Sequence, residues 1–236
     1  MPAENPVHNE APWAAGLRGA RANFWPGLIL QLFALALVLG YYFHAPSRAL
    51  CERFAAFRTE QGLTYSFFAT SFFGGVLPCL YLKLIPSTRH RYNLRQNAFL
   101  IAFWAYKGIE IDLWYRLLAR VIGTTTDTRT VIIKTFLDQF VASPFYFVPL
   151  SVIAYAWCEN HFATSTIVAD LRVPGWYRRR ALPILFSNLG VWLPSVCIIY
   201  SLPSALQLPL FNIVLCFFTL LLAHLSRAEP PAPPQP

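Results

Sequence analysis

Residues 97–158 read NAFLIAFWAYKGIEIDLWYRLLARVIGTTTDTRTVIIKTFLDQFVASPFYFVPLSVIAYAWC. Two long apolar segments flank a short polar turn made by Gly123, Thr124, Thr125, Thr126, Asp127 and Thr128. Each segment is long enough to cross a bilayer as a helix, the form in which one segment satisfies its own backbone polar groups in hydrocarbon. Charge sets the pair apart. The first segment carries Lys107, Glu110, Asp112, Arg116 and Arg120, and the second carries Lys134 and Asp138 beside Gln139. An ionisable group near the bilayer centre costs about 3 kcal/mol on insertion scales, so these groups must be paired, hydrated or interfacial.

An antiparallel hairpin about the turn brings Arg116 level with Lys134, and Asp112 level with Asp138, because residues equally far from a turn lie at similar depth. Two bases are thus expected to face two acids across one layer. Asp112, Arg116 and Arg120 fall on one stripe of the first helix, and Lys107 and Glu110 on a roughly opposite one. The same charges admit two readings: ion pairs that staple the helices, or the lining and gate of a water-filled path.

Composition extends the membrane reading to the whole chain. Of 236 residues, 56% are hydrophobic and 13% charged, too little polar surface for a water-soluble domain of this size. The expected fold is all-α, a polytopic transmembrane bundle with spans at 24–43, 63–82, 97–121, 130–158, 181–200 and 208–225. One or two interfacial amphipathic helices accompany them, the clearest at 47–62, where Leu50, Phe54 and Phe57 share a face. Residues 23–227 form a single domain, residues 1–22 a flexible arm, and residues 228–236 a Pro-rich disordered tail.

The net charge of +8 is mostly arginine. It lies in the connections, where it sets orientation and meets anionic lipid, so the bilayer is the expected partner and nucleic acid is not. Lys83, Arg89, Arg91 and Arg95 fall on one side with the cluster at Arg178, Arg179 and Arg180, which places both termini in the cytoplasm. Arginine in place of lysine and abundant alanine favour a bacterial cytoplasmic membrane, with the mitochondrial inner or peroxisomal membrane for a eukaryotic source. A homo-oligomer is compatible with the composition.

Catalysis and metal binding find little support. The five cysteines are scattered singly and the histidines show no ligand spacing, so no metal and no cofactor is expected. Glu110 and Asp112 are two positions apart on a helix and point away from each other, which disfavours joint acid–base work. The expectation is a protein that is not an enzyme.

Trp114 and Tyr115, then Arg120, Gly123, Lys134, Asp138, Gln139 and Pro144 form a spaced polar series. In order and spacing it resembles the Mpv-seventeen, or peroxisomal membrane protein, family of small helical membrane proteins. Pro183 and Pro194 fit that family's two later prolines, and Asn188 lies one position from its asparagine, while Leu182 replaces its tryptophan. The resemblance implies a channel-like protein for small solutes or ions. A structural or scaffolding membrane protein and a secondary transporter are the alternatives, the last disfavoured by the lack of internal symmetry.

Overall fold

Proline decides the local course of three long helices. Leu77, Val148 and Leu182 each stand one residue before a proline, and each donates its backbone N–H five residues back, to Phe72, Ser143 and Tyr177 respectively. A proline ring crowds the carbonyl four residues before it and offers no N–H, and widening the turn relieves that clash. The result is a π-helical stretch before or around each proline: Ser71–Val76, Leu137–Phe147 and Tyr177–Ala181.

The computed structural model describes residue 21 and residues 24–225. The expected N-terminal arm, apart from residue 21, and the C-terminal tail lie outside the described residues. Eight helices follow one another among them. They are α1 (Phe24–Phe43), α2 (Ala45–Gln61), α3 (Leu63–Leu84), α4 (Leu94–Val121), α5 (Thr128–Glu159), α6 (Thr164–Arg172), α7 (Tyr177–Tyr200) and α8 (Ser204–Leu225). The chain is all-α, as expected.

The helix ends follow from local chemistry. α4 starts at a capping box, in which Asn93 accepts from the Gln96 N–H at 2.9 Å while the Gln96 side chain accepts from the Asn93 N–H. α5 starts at Asp127, whose carboxylate accepts from the Thr130 N–H at 3.1 Å. α1 and α2 meet at 101°. There the Arg48 guanidinium donates to the carbonyls of Tyr41 and Tyr42, which have no partner further along α1.

α8 is the hub. Leu206, Gln207, Leu208, Leu210, Phe211, Asn212, Val214 and Leu215 are all buried, as befits a helix apolar on every side. α1 packs the stripe Leu30, Ala34 and Val38 into the same core. α3 and α4 approach most closely, at Gly74, Gly75 and Gly108. A Cβ on Gly108 would lie 2.1 Å from the Ser66 carbonyl oxygen.

The outside of the bundle is apolar. α1 exposes Trp25, Ile29, Leu32 and Phe33, and α5 exposes Ile132, Phe136, Phe140 and Phe145. Faces of this extent belong against lipid, and the chain is an integral membrane protein. Among the described residues three helices, α3, α5 and α7, are long and apolar enough to span, or up to four if the bent pair α1 and α2 forms one broken span. Six spans were expected. α4 is long, with 28 residues, but carries too many charges to qualify, and α8, with 22 residues, is apolar and packs in the core.

Candidate functional site

The charges of the hairpin divide into clusters that do not meet as expected. Asp112 is fully buried, yet its partners are Arg58 from α2, Ser66 from α3 at 2.6 Å, and Arg116 of its own helix at 3.0 and 3.2 Å. Asp138 is met from three sides by neutral donors. Gln139 donates at 2.7 Å, Tyr200 at 2.8 Å and the Trp114 indole at 3.1 Å. Lys107 pairs with Glu110 one turn away and lies 4.5 Å from the Phe147 ring centre. Lys134 is 1% exposed and has no hydrogen-bonding or ionic partner among the described residues; its ammonium stands 5.9 Å from the Tyr200 ring. The expected layer of Asp112 and Arg116 facing Asp138 and Lys134 is therefore not formed. Asp112 takes its partners from α2, α3 and its own helix, and Asp138 from α4, α7 and its own neighbour, so the two carboxylates are engaged by different helices.

A cavity of about 680 Å³ lies among α3, α4, α5, α7 and α8, within the range of small-molecule sites. Of the charged and amide residues singled out in the hairpin, Lys107, Asp138 and Gln139 line it. Glu110, Asp112, Arg116, Arg120 and Lys134 are not on its wall, and Arg116 and Arg120 are exposed. The reading of one continuous charged lining is corrected accordingly.

The π-helical stretch of α5 builds much of the wall. Gln139, Ser143 and Phe147 follow one another at the wider turn and all face the cavity. Opposite stand Trp104, Trp114 and Tyr115 of α4, and Asn188 and Trp192 of α7. Trp104 is held by a 3.0 Å hydrogen bond to Tyr155, and Tyr115 packs 5.3 Å from the Tyr200 ring. Of the prolines, Pro144 lies inside the π-helical stretch and its carbonyl accepts from the Tyr177 hydroxyl at 2.9 Å. Pro183 starts the regular part of α7, and Pro194 lies within it. The Gly190 carbonyl that Pro194 leaves without a helical partner accepts from Gln31 of α1 at 3.4 Å.

The cavity reaches Arg91 and Tyr92 before α4, Glu159 at the end of α5, Asp170 of α6 and Arg180 in the first turn of α7. Tyr92 donates to Glu159 at 3.1 Å, and burial followed by the nearby Glu159 carboxylate pushes its phenol up to about 12. It therefore remains a neutral donor throughout the physiological range. Asp170 accepts from Trp176 and Arg180, each at 3.2 Å.

Sequence reasoning missed Arg58, Ser66 and Tyr200. Arg58 reads as one charge of an interfacial helix, and only the bend after α1 and the turn at Gly62 bring it to Asp112. Tyr200 is 62 residues from Asp138, and nothing local to either position announces the bond.

No family model matches the chain, and no solved structure matches it. Two curated relatives do. Mouse and rat proteins named Protein C-mannosyl-transferase DPY19L1 are 32% and 31% identical to it over 127 residues, which is 47% of this chain and 16% of each relative. The match thus spans about a sixth of the relatives' length. These findings overturn two expectations. The resemblance to the Mpv-seventeen family is not supported, since the matching relatives carry another name. The expectation of a protein that is not an enzyme is countered by relatives named as transferases.

Proposed function

We propose that the chain acts in mannosyl transfer at the membrane, with the cavity among α3, α4, α5, α7 and α8 as its substrate site. The observation that carries this reading is the cavity wall itself, where a carboxylate, a lysine and an amide sit among aromatic rings. Asp138 is the group offered to the substrate, and its three donors hold it in place, as a reacting carboxylate requires. The relatives' name supplies the class of chemistry. In this reading the Arg-rich segments face the cytoplasm, by the positive-inside tendency, and the cavity is entered from that side.

The test uses membranes that contain the full chain, supplied with tritiated GDP-mannose. Protein-bound label that survives hydrolysis of O- and N-glycosides is expected, and the Asp138→Asn variant is expected to lose about a hundredfold, the scale of a lost proton-handling group. Label no higher than in membranes without the chain contradicts the reading.

A second reading, passage of small solutes, is favoured by the placement of Lys107, Asp138 and Gln139 on one cavity wall inside the bundle. Discrete conductance steps in planar bilayers that change in Asp138→Asn would support it, and silence would leave the binding cavity as the better account.

A further inference from the structure

α6 lies over the end of the cavity marked by Arg91, Glu159 and Arg180, and little holds it there. Thr166, Ile167 and Asp170 line the cavity, and of the helix only Ile167 is buried. Val168 and Leu171 are exposed. Asp170 makes the only side-chain hydrogen bonds and ion pairs of α6 among the described residues. Its carboxylate accepts from the Trp176 indole and from Arg180, each at 3.2 Å, and pairs with Arg179 at 3.7 Å.

The two ends of the helix differ in freedom. Before it, His161 and Phe162 hold left-handed φ values of 52° and 66°, uncommon for residues with a Cβ. The Phe162 ring is fixed there, 5.0 Å from Trp157 and 5.4 Å from Phe99, with the Arg95 guanidinium 4.6 Å over it. After the helix, Gly175 has a φ of 74°, and a Cβ there would meet nothing within 4 Å. A glycine in open space is free to turn. α6 can therefore swing about its pinned leading end once Asp170 lets go.

The latch is made of side chains that lipid also attracts. α7 is long and apolar enough to span, so its first turn, with Arg178, Arg179 and Arg180, belongs at the headgroup layer beside Trp176 and Tyr177. The side chains of Arg179 and Arg180 are 45% and 58% exposed, and Arg178 pairs with none of the described residues. An exposed ion pair contributes little to stability. A phosphodiester in the same layer attracts all three arginines and repels the Asp170 carboxylate.

We propose that Arg179 and Arg180 bind the phosphate of an anionic phospholipid in exchange for Asp170, and that this exchange releases α6 from the mouth of the cavity. Access is then set by the lipid around the protein, whichever molecule the cavity holds.

The full chain in phosphatidylcholine nanodiscs, with and without added phosphatidylglycerol, tests the exchange. Ser151 lines the cavity, so Ser151→Cys in a background free of native cysteines reports access, read by an uncharged, water-soluble methanethiosulfonate. Phosphatidylglycerol is expected to speed labelling about fivefold, the population shift that loss of an exposed ion pair allows. Asp170→Asn should label fast in both lipids. Arg179→Gln combined with Arg180→Gln should do the same, and should retain less phosphatidylglycerol than the wild type in native mass spectrometry. Equal labelling rates for the reporter in the two lipids, or an acceleration that survives in the double arginine variant, overturn the proposal. Acceleration by inorganic phosphate in phosphatidylcholine alone assigns the arginines to a soluble anion and overturns it as well. None of these readouts needs mannosyl transfer, so failure of the transfer reading and failure of the lipid exchange are distinct.

Discussion

Tyr200 donates its hydroxyl to Asp138 across 2.8 Å while its ring covers the Lys134 ammonium at 5.9 Å. One side chain at the end of α7 thus answers both buried charges of α5, which are themselves one helical turn apart and share no bond with each other. Tyr200→Phe keeps the ring and removes a donor from a buried carboxylate. The expected loss is about 1.5–3 kcal/mol, the worth of a hydrogen bond to a charged group. Thermal unfolding in nanodiscs measures it, and an unchanged midpoint would show that Asp138 does not depend on this bond.

Asp112 provides a contrast between a buried and an exposed partner. Arg58 is buried with it, whereas the side chain of Arg116 is 50% exposed. Arg58→Ala leaves an uncompensated buried carboxylate and is expected to cost about 3–5 kcal/mol. Arg116→Ala should cost about 1 kcal/mol or less, since water screens that pair. Equal losses for the two variants would mean that Asp112 depends on the exposed Arg116 as much as on the buried Arg58, and a larger loss for Arg116→Ala that Arg116 is its main counter-charge.

The seam between α3 and α4 has no room at Gly108, where an added Cβ would meet the Ser66 carbonyl and Thr70. Gly108→Ala should destabilise the fold by about 1–3 kcal/mol or more through overpacking of fixed backbone. At Gly40 the nearest atoms to such a Cβ are 3.7 Å away, so Gly40→Ala should be neutral or gain a few tenths up to about 1 kcal/mol from helix propensity. Unfolding midpoints of the two variants are expected to move in opposite directions or, at the least, to differ clearly.

Asp127 caps α5 in the turn outside the spanning helices. Hydrogen bonds from Thr125 and Thr130 hold its carboxyl well below the usual value of 3.8. A depressed native value means that the stabilisation is fully present above the unfolded-state value and is lost as pH falls through the native one. The stability difference between the wild type and Asp127→Asn should therefore stay constant from neutral pH down to about pH 4 and shrink below it. A difference that grew on acidification would contradict the assignment.

Much of this architecture is legible in the chain. The all-α class, the polar turn and the burial of Lys107, Asp112, Lys134 and Asp138 follow from periodicity, length and the cost of charge in hydrocarbon. The pairing does not follow. The π-helical stretch Leu137–Phe147 adds residues to each turn, so counting in steps of 3.6 loses the direction of every side chain beyond Leu137. Arg58 reaches Asp112 only because α2 turns back at 101° from α1. Depth is written in the distance from a turn, whereas facing depends on helix phase and on how neighbouring helices pack.

Ser143 and Ser151 line the cavity, whereas Asp112 is sealed among Arg58, Ser66 and Arg116. Cysteine accessibility in a background free of native cysteines tests it most directly, using a water-soluble methanethiosulfonate reagent on the full chain in sealed vesicles. Ser143→Cys and Ser151→Cys should label from the side of Arg91 and Arg180, while Asp112→Cys and the lipid-facing Phe140→Cys should not. Labelling at Asp112→Cys with none at Ser143→Cys or Ser151→Cys would contradict the account.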